Sequence, residues 1–283
     1  MPFVDRFARI DGRRVGYVDE GSGDTPLLLL HGGGFDHGEL TWKPVVRELR
    51  DRYRMIVPDL PGYGESDGFG RPHDLADLGR WTLAFLDELG LGAVDVSGVS
   101  MGGGIALWLT LEAPERVRKL VPVGAYGTMA RAPFHPLALA LARSPLSGLV
   151  YQAAARSRVA ARLGLGASYA ALDRVTDATV ADVMAVAAEQ GRRRSFDAFL
   201  AAELGPKGLK SDLTARLPLI RRPTLVVHGT SDRIVPVRHG KRAAELIPGA
   251  ELALMPTGHW PMRELPGLFA RRLDRFLSDG SSS

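Results

Sequence analysis

The feature that most constrains the fold of this chain is an alternation of short strand-like runs with longer segments of helical spacing. Residues 27–30 are four leucines, and similar runs occur at residues 55–57, 93–96 and 120–123. A solid apolar run is typical of a strand that is buried on both faces of a parallel sheet. Because helical segments separate these runs, the pattern predicts an α/β fold with a mostly parallel, doubly wound sheet.

Two segments interrupt this alternation. Asp11-Gly12 lies between two short apolar stretches, which predicts an antiparallel hairpin at the start of the chain. From residue 127 to residue 212 the spacing is helical with no convincing strand, and strand-like residues return at 224–227. The sequence therefore predicts an α/β core, an inserted helical cap and a disordered tail, at residues 1–126 with 213–278, 127–212 and 279–283.

The composition excludes several classes of function. The net charge of +4 is spread along 283 residues without a basic run containing aromatic residues, so we expect no nucleic-acid partner. The absence of cysteine excludes disulfides, thiolate catalysis and cysteine-based metal sites. With neither a signal peptide nor an apolar run of about 20 residues, we expect a cytoplasmic protein without membrane association. A homo-oligomer is compatible with these observations.

A serine between two glycines occurs where a strand-like run passes into a helical segment. The stretch is Gly98-Val99-Ser100-Met101-Gly102. This context is typical of a nucleophile elbow, in which a tight turn lifts the serine hydroxyl above the sheet. The alternative is a glycine-rich turn that only allows a helix to pack on a strand. The residues at the other strand ends distinguish the two interpretations.

Asp232 and His259 also follow strand-like runs, as Ser100 does. In a parallel sheet, the residues after the carboxyl ends of the strands meet in one crevice. We predict that His259 is the general base for Ser100 and that Asp232 orients its imidazole. His37 remains a second candidate for the base, close to a glycine-rich loop.

The glycine-rich loop reads His31-Gly32-Gly33-Gly34 and follows the run of four leucines. We predict that the Gly33 and Met101 amides form an oxyanion hole. His31, like His228 elsewhere in the chain, is predicted to make structural hydrogen bonds. Asp59, in a turn-rich loop, is predicted to brace the elbow from below.

Together these segments resemble the lid-bearing α/β-hydrolases. The residues that carry the resemblance are His31-Gly32-Gly33-Gly34, Asp59-Leu60-Pro61-Gly62-Tyr63-Gly64-Glu65-Ser66, Gly98-Val99-Ser100-Met101-Gly102-Gly103, Gly229-Thr230-Ser231-Asp232 and Gly258-His259-Trp260. The resemblance implies a serine hydrolase with a Ser100–His259–Asp232 triad and with neither metal nor cofactor. Haloalkane dehalogenases and epoxide hydrolases of this fold have an aspartate where Ser100 stands. We expect the substrate to contact Gly32, Gly34, Val99 and Trp260.

Three functions are compatible with this resemblance. The first is hydrolysis of a small-molecule carboxylic ester through an acyl-enzyme on Ser100. The second is hydrolysis of a carbon–carbon bond, as in meta-cleavage product hydrolases, and the third is ligand binding without catalysis. The residue before the serine in meta-cleavage hydrolases is typically Asn, and Pro-Gly typically follows the glycine loop. Here these places hold Val99 and Phe35-Asp36, which favours the esterase.

The predicted cap is expected to select the substrate. Apolar side chains for its inner face are Phe134, Leu137, Leu146, Tyr151, Phe196 and Phe199. Arg192, Arg193 and Arg194 are interpreted as a solvated helix end.

Overall fold

The computed structural model describes residues 3–142, 144 and 147–279 and contains an eight-stranded sheet with the order β1-β2-β4-β3-β5-β6-β9-β10. The strands of this sheet are β1 (Arg6–Ile10), β2 (Arg13–Glu20), β3 (Leu27–Leu30), β4 (Met55–Pro58), β5 (Val94–Val99), β6 (Val117–Val123), β9 (Leu225–Gly229) and β10 (Glu251–Met255). From β4 to β10 every neighbouring pair is parallel, whereas β1 pairs antiparallel with β2 and β2 with β4. The predicted fold and the opening hairpin are confirmed.

The solid apolar runs are buried on both faces of the sheet, as predicted. Leu28 and Leu30 pack into one hydrophobic cluster, while Leu27 and Leu29 pack into a second cluster on the opposite face. The relative exposure of these four side chains is at most 1%. Successive strand residues point to opposite faces, so a strand covered by helices on both sides needs an apolar residue at every position.

Helices cover both faces. Helices α2, α3 and α9 contribute to the first cluster, and α1 and α11 contribute to the second. The helices outside the insertion are α1 (Gly38–Leu49), α2 (Leu75–Glu88), α3 (Met101–Glu112), α9 (Val237–Leu246), α10 (Pro261–Glu264) and α11 (Pro266–Ser278). None of the described helices has the length and apolar character needed to cross a membrane.

The segment between β6 and β9, which we call the cap from here on, is mainly helical. It contains α4 (His135–Ala142), α5 (Ser147–Arg156), α6 (Arg158–Leu165), α7 (Asp177–Arg193) and α8 (Ser195–Glu203). The expectation that it holds no strand is wrong, because Leu204–Gly205 (β7) and Gly208–Leu209 (β8) form a two-stranded antiparallel hairpin. Each of these strands has only two residues, too few for a period-two pattern to be visible in the sequence. Of the predicted disordered tail, residues 280–283 lie outside the described part of the chain.

Candidate active site

Ser100 lies at the junction of β5 and α3 with φ +53° and ψ −117°. A non-glycine residue rarely adopts this conformation, and such strain is frequent at functional sites. A β-carbon at Gly98 would collide with the Gly102 carbonyl, and one at Gly102 would collide with the Leu30 carbonyl. Both glycines are therefore needed for the turn, and the geometry is that of a nucleophile elbow.

Asp232 and His259 are hydrogen-bonded to each other. His259 Nδ1 lies 2.7 Å from Asp232 Oδ2. The other carboxylate oxygen, Oδ1, accepts the amides of Ile234 and Val235 at 2.8 and 2.9 Å. Burial alone would raise the pKa of Asp232, but the adjacent His259 and hydrogen bonds from His228, His259 and Val235 hold that pKa below its ordinary value. Asp232 is therefore a carboxylate that can orient the imidazole and stabilise its protonated form.

His259 lines the same cavity as Ser100, and one of its ring nitrogens has no partner in the described part of the chain. His259 Nε2 is buried and has no hydrogen-bond partner among the described residues. Both His259 and Ser100 line one cavity of about 430 Å³. An unpartnered buried nitrogen is costly unless a substrate, a water or the serine hydroxyl engages it during function.

The competing histidines have structural positions. His37 caps α1, where its Nδ1 accepts the Leu40 amide at 3.4 Å, and it does not line the cavity. His31 Nε2 accepts the Leu60 amide at 2.9 Å, and burial lowers the pKa of His31 to about 3. His228 Nε2 donates to the Val235 carbonyl at 2.7 Å. The predicted structural roles of His31 and His228 are confirmed, and the structure does not bring His37 to Ser100.

The amides of Gly33 and Met101 have no hydrogen-bond partner in the described part of the chain. Met101 is the first residue of α3, and the first amides of a helix lack partners within it. Gly33 lines the cavity beside Ser100. Two free amides near a strained serine are the arrangement that an oxyanion hole requires.

Asp36 fixes the glycine loop, a role that the sequence analysis missed. Its Oδ2 accepts the Gly32 amide at 2.7 Å, and its Oδ1 accepts the Thr41 hydroxyl at 2.5 Å and the His37 amide at 2.8 Å. Asp36 is fully buried, and this burial raises its pKa to about 6 despite the three hydrogen bonds. The sequence signal for this role was Asp36 itself, which stands where meta-cleavage hydrolases typically have the glycine of Pro-Gly.

Asp59 differs from its prediction, and the loop that carries His259 is held by a residue that the sequence analysis did not consider. Asp59 accepts the amides of Gly38 at 3.0 Å and Glu65 at 2.9 Å, so it supports the start of α1 and its own loop rather than the elbow. The histidine loop is held by Glu264, which accepts the Gly258 amide. Glu264 lies four residues after the Gly258-His259-Trp260 motif but outside it, and the sequence analysis assigned it no role.

Among the residues predicted to contact substrate, Gly32, Gly34 and Trp260 line the cavity. Val99 is fully buried in the second hydrophobic cluster and does not line the cavity, so that prediction is wrong. Val99 is the last residue of β5, and it packs with Val121 and Val123 of the neighbouring strand. No group of three or more potential metal ligands occurs among the residues that the structure describes.

The apolar residues predicted for the inner face of the cap separate into three groups. Tyr151 and Phe196 line the cavity, and Phe199 is buried in the first hydrophobic cluster. Phe134 and Leu137 are 83% and 69% exposed, so their predicted inner position is wrong. Helix α4 is apolar around most of its surface, which hides the direction it faces from a sequence pattern. Leu146 lies outside the described residues.

Two of the three arginines at the end of α7 are exposed to solvent, and the third is half-buried. Arg192 and Arg193 are exposed. Arg194, however, forms an ion pair with Asp197 and donates to the Ser147 hydroxyl at 2.5 Å. Arg194 is therefore part of a polar cluster inside the cap, which corrects the prediction.

A family model described as the alpha/beta hydrolase fold matches residues 25–264 of this chain. A 2-hydroxy-6-oxononadienedioate/2-hydroxy-6-oxononatrienedioate hydrolase of Burkholderia vietnamiensis is 33% identical over 273 residues, which cover 93% of this chain and 91% of that protein. A 2-hydroxymuconate semialdehyde hydrolase of Pseudomonas putida is 31% identical and covers 99% and 96%. A solved meta-cleavage product hydrolase of Pseudomonas fluorescens has a TM-score of 0.82 at 24% identity, with 98% of each chain covered.

Proposed function

Since this chain belongs to the α/β-hydrolase fold family, we propose that it is a serine hydrolase in which Ser100, His259 and Asp232 form the catalytic triad. The observation that carries this proposal is that His259, whose Nε2 has no partner among the described residues, lines the same cavity as the strained Ser100. An unpartnered ring nitrogen alone does not distinguish His259, since His228 Nδ1 also has no partner within the described ranges. His259 differs because it lines the cavity with Ser100 and its Nδ1 is bonded to Asp232.

In the proposed reaction, the Ser100 hydroxyl attacks the carbonyl carbon of the substrate while His259 Nε2 takes its proton. The oxyanion that forms accepts hydrogen bonds from the Gly33 and Met101 amides. When the bond to the leaving group breaks, His259 returns the proton to that group. Water, deprotonated by His259, then hydrolyses the acyl-enzyme, and Asp232 stabilises the imidazolium in both steps.

The named relatives favour a carbon–carbon bond as the bond that breaks. The two curated names describe keto acids or aldehyde acids that contain no ester bond. They support carbon–carbon hydrolysis better than the ester hydrolysis expected from the sequence. The sequence argument against carbon–carbon hydrolysis relied on Val99 in place of an asparagine. The buried position of Val99 weakens that argument, because a side chain that does not reach the cavity takes no part in the reaction. We therefore propose carbon–carbon hydrolysis of a keto substrate as the leading reaction.

Ester hydrolysis remains a second candidate because of the charge of the cavity. The substrates of the relatives carry carboxylates, as their names state. The described residues that line this cavity include no lysine and no arginine. A cavity whose described lining residues carry no cation is suited to an uncharged substrate, as many esters are.

A direct comparison of substrates tests both proposals. Purified enzyme is given a ring-fission dienoate, an uncharged 1,5-diketone and an aryl ester in parallel, and kcat/KM is measured for each. We expect turnover of the diketone or the dienoate to exceed that of the ester. A higher kcat/KM for every ester would reverse the order of the two candidates, and no turnover by the enzyme at any concentration would contradict the proposed function itself.

A further inference from the structure

Asp197 is a charged side chain in the wall of an otherwise apolar cavity. It belongs to the first turn of α8, and its side chain is 14% exposed. Apart from His259, the described lining residues include no other ionisable acid or base of the Asp, Glu, Lys, Arg or His type. A carboxylate in such a wall is expensive unless it is paired or serves a ligand.

The charge of Asp197 is balanced within the cap. Its Oδ2 forms an ion pair with Arg194, and the Ser147 hydroxyl lies 3.4 Å from the same oxygen. Arg194 itself does not line the cavity. Asp197 thus neutralises the Arg194 guanidinium behind this wall, while Asp197 itself is the residue of the pair that lines the cavity.

The groups beside Asp197 suit a hydrogen-bond donor. Ser147 and Tyr151 line the cavity with it, and Tyr151 is 5% exposed. Neither the Tyr151 hydroxyl nor Asp197 Oδ1 has a hydrogen-bond partner among the described residues. A ligand hydroxyl can donate to the free carboxylate oxygen and accept from the tyrosine, whereas a ligand carboxylate would face a like charge.

We propose that Asp197, with Tyr151, is a specificity-determining site of this cavity, and that it selects a substrate hydroxyl group over a carboxylate. This inference rests on the proposed function, since it concerns the same cavity. It implies that the substrate of this chain is an uncharged hydroxyl-bearing acyl compound rather than a dicarboxylate.

The test measures binding and turnover separately. The binding ligands are two ketones that differ at one end, 6-hydroxy-1-phenylhexan-1-one and 6-oxo-6-phenylhexanoate, and Kd is measured by calorimetry. The substrates are the aryl esters of 6-hydroxyhexanoic acid and of hexanedioic acid. The proteins are the wild type, Asp197→Asn, Tyr151→Phe and the control Asp173→Asn, which removes an exposed carboxylate of the cap.

We expect the wild type to favour the hydroxyl ligand at least tenfold in Kd and in kcat/KM. Asp197→Asn removes the carboxylate that would repel a ligand carboxylate, and it should lower this preference at least tenfold. Tyr151→Phe should lower it several-fold, while Asp173→Asn should leave it unchanged. An equal preference in the wild type, or an unchanged preference in folded Asp197→Asn and Tyr151→Phe proteins, overturns the inference. A preserved binding preference without turnover of any substrate would contradict the proposed function and support the site.

Discussion

At the scale of single residues, the strained Ser100 backbone carries the proposed chemistry. We expect Ser100→Ala to lower kcat by about 10⁶-fold, the size of effect found when the serine of the subtilisin triad is removed. The matched control is Ser97→Ala, in the same strand, where the hydroxyl donates to the Val121 carbonyl and does not line the cavity. Steady-state kinetics of both proteins provide the measurement, and a nearly active Ser100→Ala protein would remove the serine from the mechanism.

Asp36 should affect the rate through the loop that it holds. Asp36→Ala removes the acceptor of the Gly32 amide, so the neighbouring Gly33 amide loses its fixed direction. We expect kcat to fall by about 10²-fold with a small change in KM, since one oxyanion-hole donor contributes about 2.7–4 kcal/mol when removed completely. Thr41→Val, which removes a bond to the other carboxylate oxygen, is the control and should have a smaller effect. Equal losses in kcat for both variants would show that the direction of the Gly33 amide, set by the bond between Asp36 and Gly32, does not determine the rate.

His31 predicts a specific pH dependence of stability. The folded protein holds the pKa of His31 at about 3, below the ordinary value of 6.5, because the ring is buried. Below about pH 6.5 the unfolded chain therefore binds a proton at His31 that the folded chain excludes. The free energy of unfolding decreases as pH falls from about 6.5 towards about 3. Below pH 6 the slope approaches about 1.4 kcal/mol per pH unit.

The variant His31→Gln removes this proton while its amide oxygen can still accept the Leu60 amide. We expect it to unfold more easily at pH 7.5 but to lose less stability than the wild type between pH 6 and pH 4.5. Urea unfolding at four pH values measures both slopes. Parallel curves for the two proteins would mean that His31 is protonated in the folded state.

At the scale of elements, α8 brings an aromatic ring onto the glycine loop. The Phe196 ring lies so close to Gly33 that a β-carbon there would overlap it. Phe196→Ala should admit water to the proposed oxyanion hole and lower kcat/KM about tenfold, because hydrogen bonds to the oxyanion are stronger in a water-excluded site. Phe134→Ala, which truncates an 83% exposed ring of the cap, should leave kcat/KM unchanged. Kinetics with short and long acyl substrates decide the matter, and an unaffected Phe196→Ala protein would exclude a shielding role.

The elements of the core were predictable from local sequence, and those of the cap were less so. The elbow is readable because steric limits at Gly98 and Gly102 act on adjacent residues. The direction that α4 faces was not readable, because apolar residues such as Phe134 and Leu137 occur at and around this helix on all sides and mark no single buried face. The hydrogen bond between Asp36 and Gly32 was missed for a different reason, since an aspartate in a loop has many possible partners.

At the scale of the whole molecule, Glu203 joins the cap to the core. It is fully buried and accepts hydrogen bonds from the Leu75 amide at 2.8 Å, the Tyr126 hydroxyl at 2.8 Å and both the amide and the hydroxyl of Ser211. Leu75 begins α2, and Tyr126 follows β6. Partners 128 and 77 residues away in sequence cannot be predicted from local patterns, although the buried network ties three parts of the chain together.

Glu203→Ala should lower the free energy of unfolding by about 3–5 kcal/mol, since it leaves several buried donors without an acceptor. The control Glu112→Ala breaks an exposed ion pair with Arg216 and should cost less than about 1 kcal/mol. Calorimetry and chemical unfolding measure both changes. A loss of the same small size in both variants would mean that water replaces Glu203 at little cost.

The contact between the cap and the histidine loop has a consequence for protein engineering. The His259 amide donates to the Ser168 carbonyl at 2.6 Å, and a β-carbon at Gly258 would collide with that same carbonyl. Ser168 belongs to the cap, so the backbone that carries the proposed base packs directly against the inserted segment. A chimaera that receives a foreign cap must therefore inherit a compatible backbone at this point, or its histidine will be displaced. Recombination between relatives should succeed when the cap and the loop around residue 258 are exchanged together.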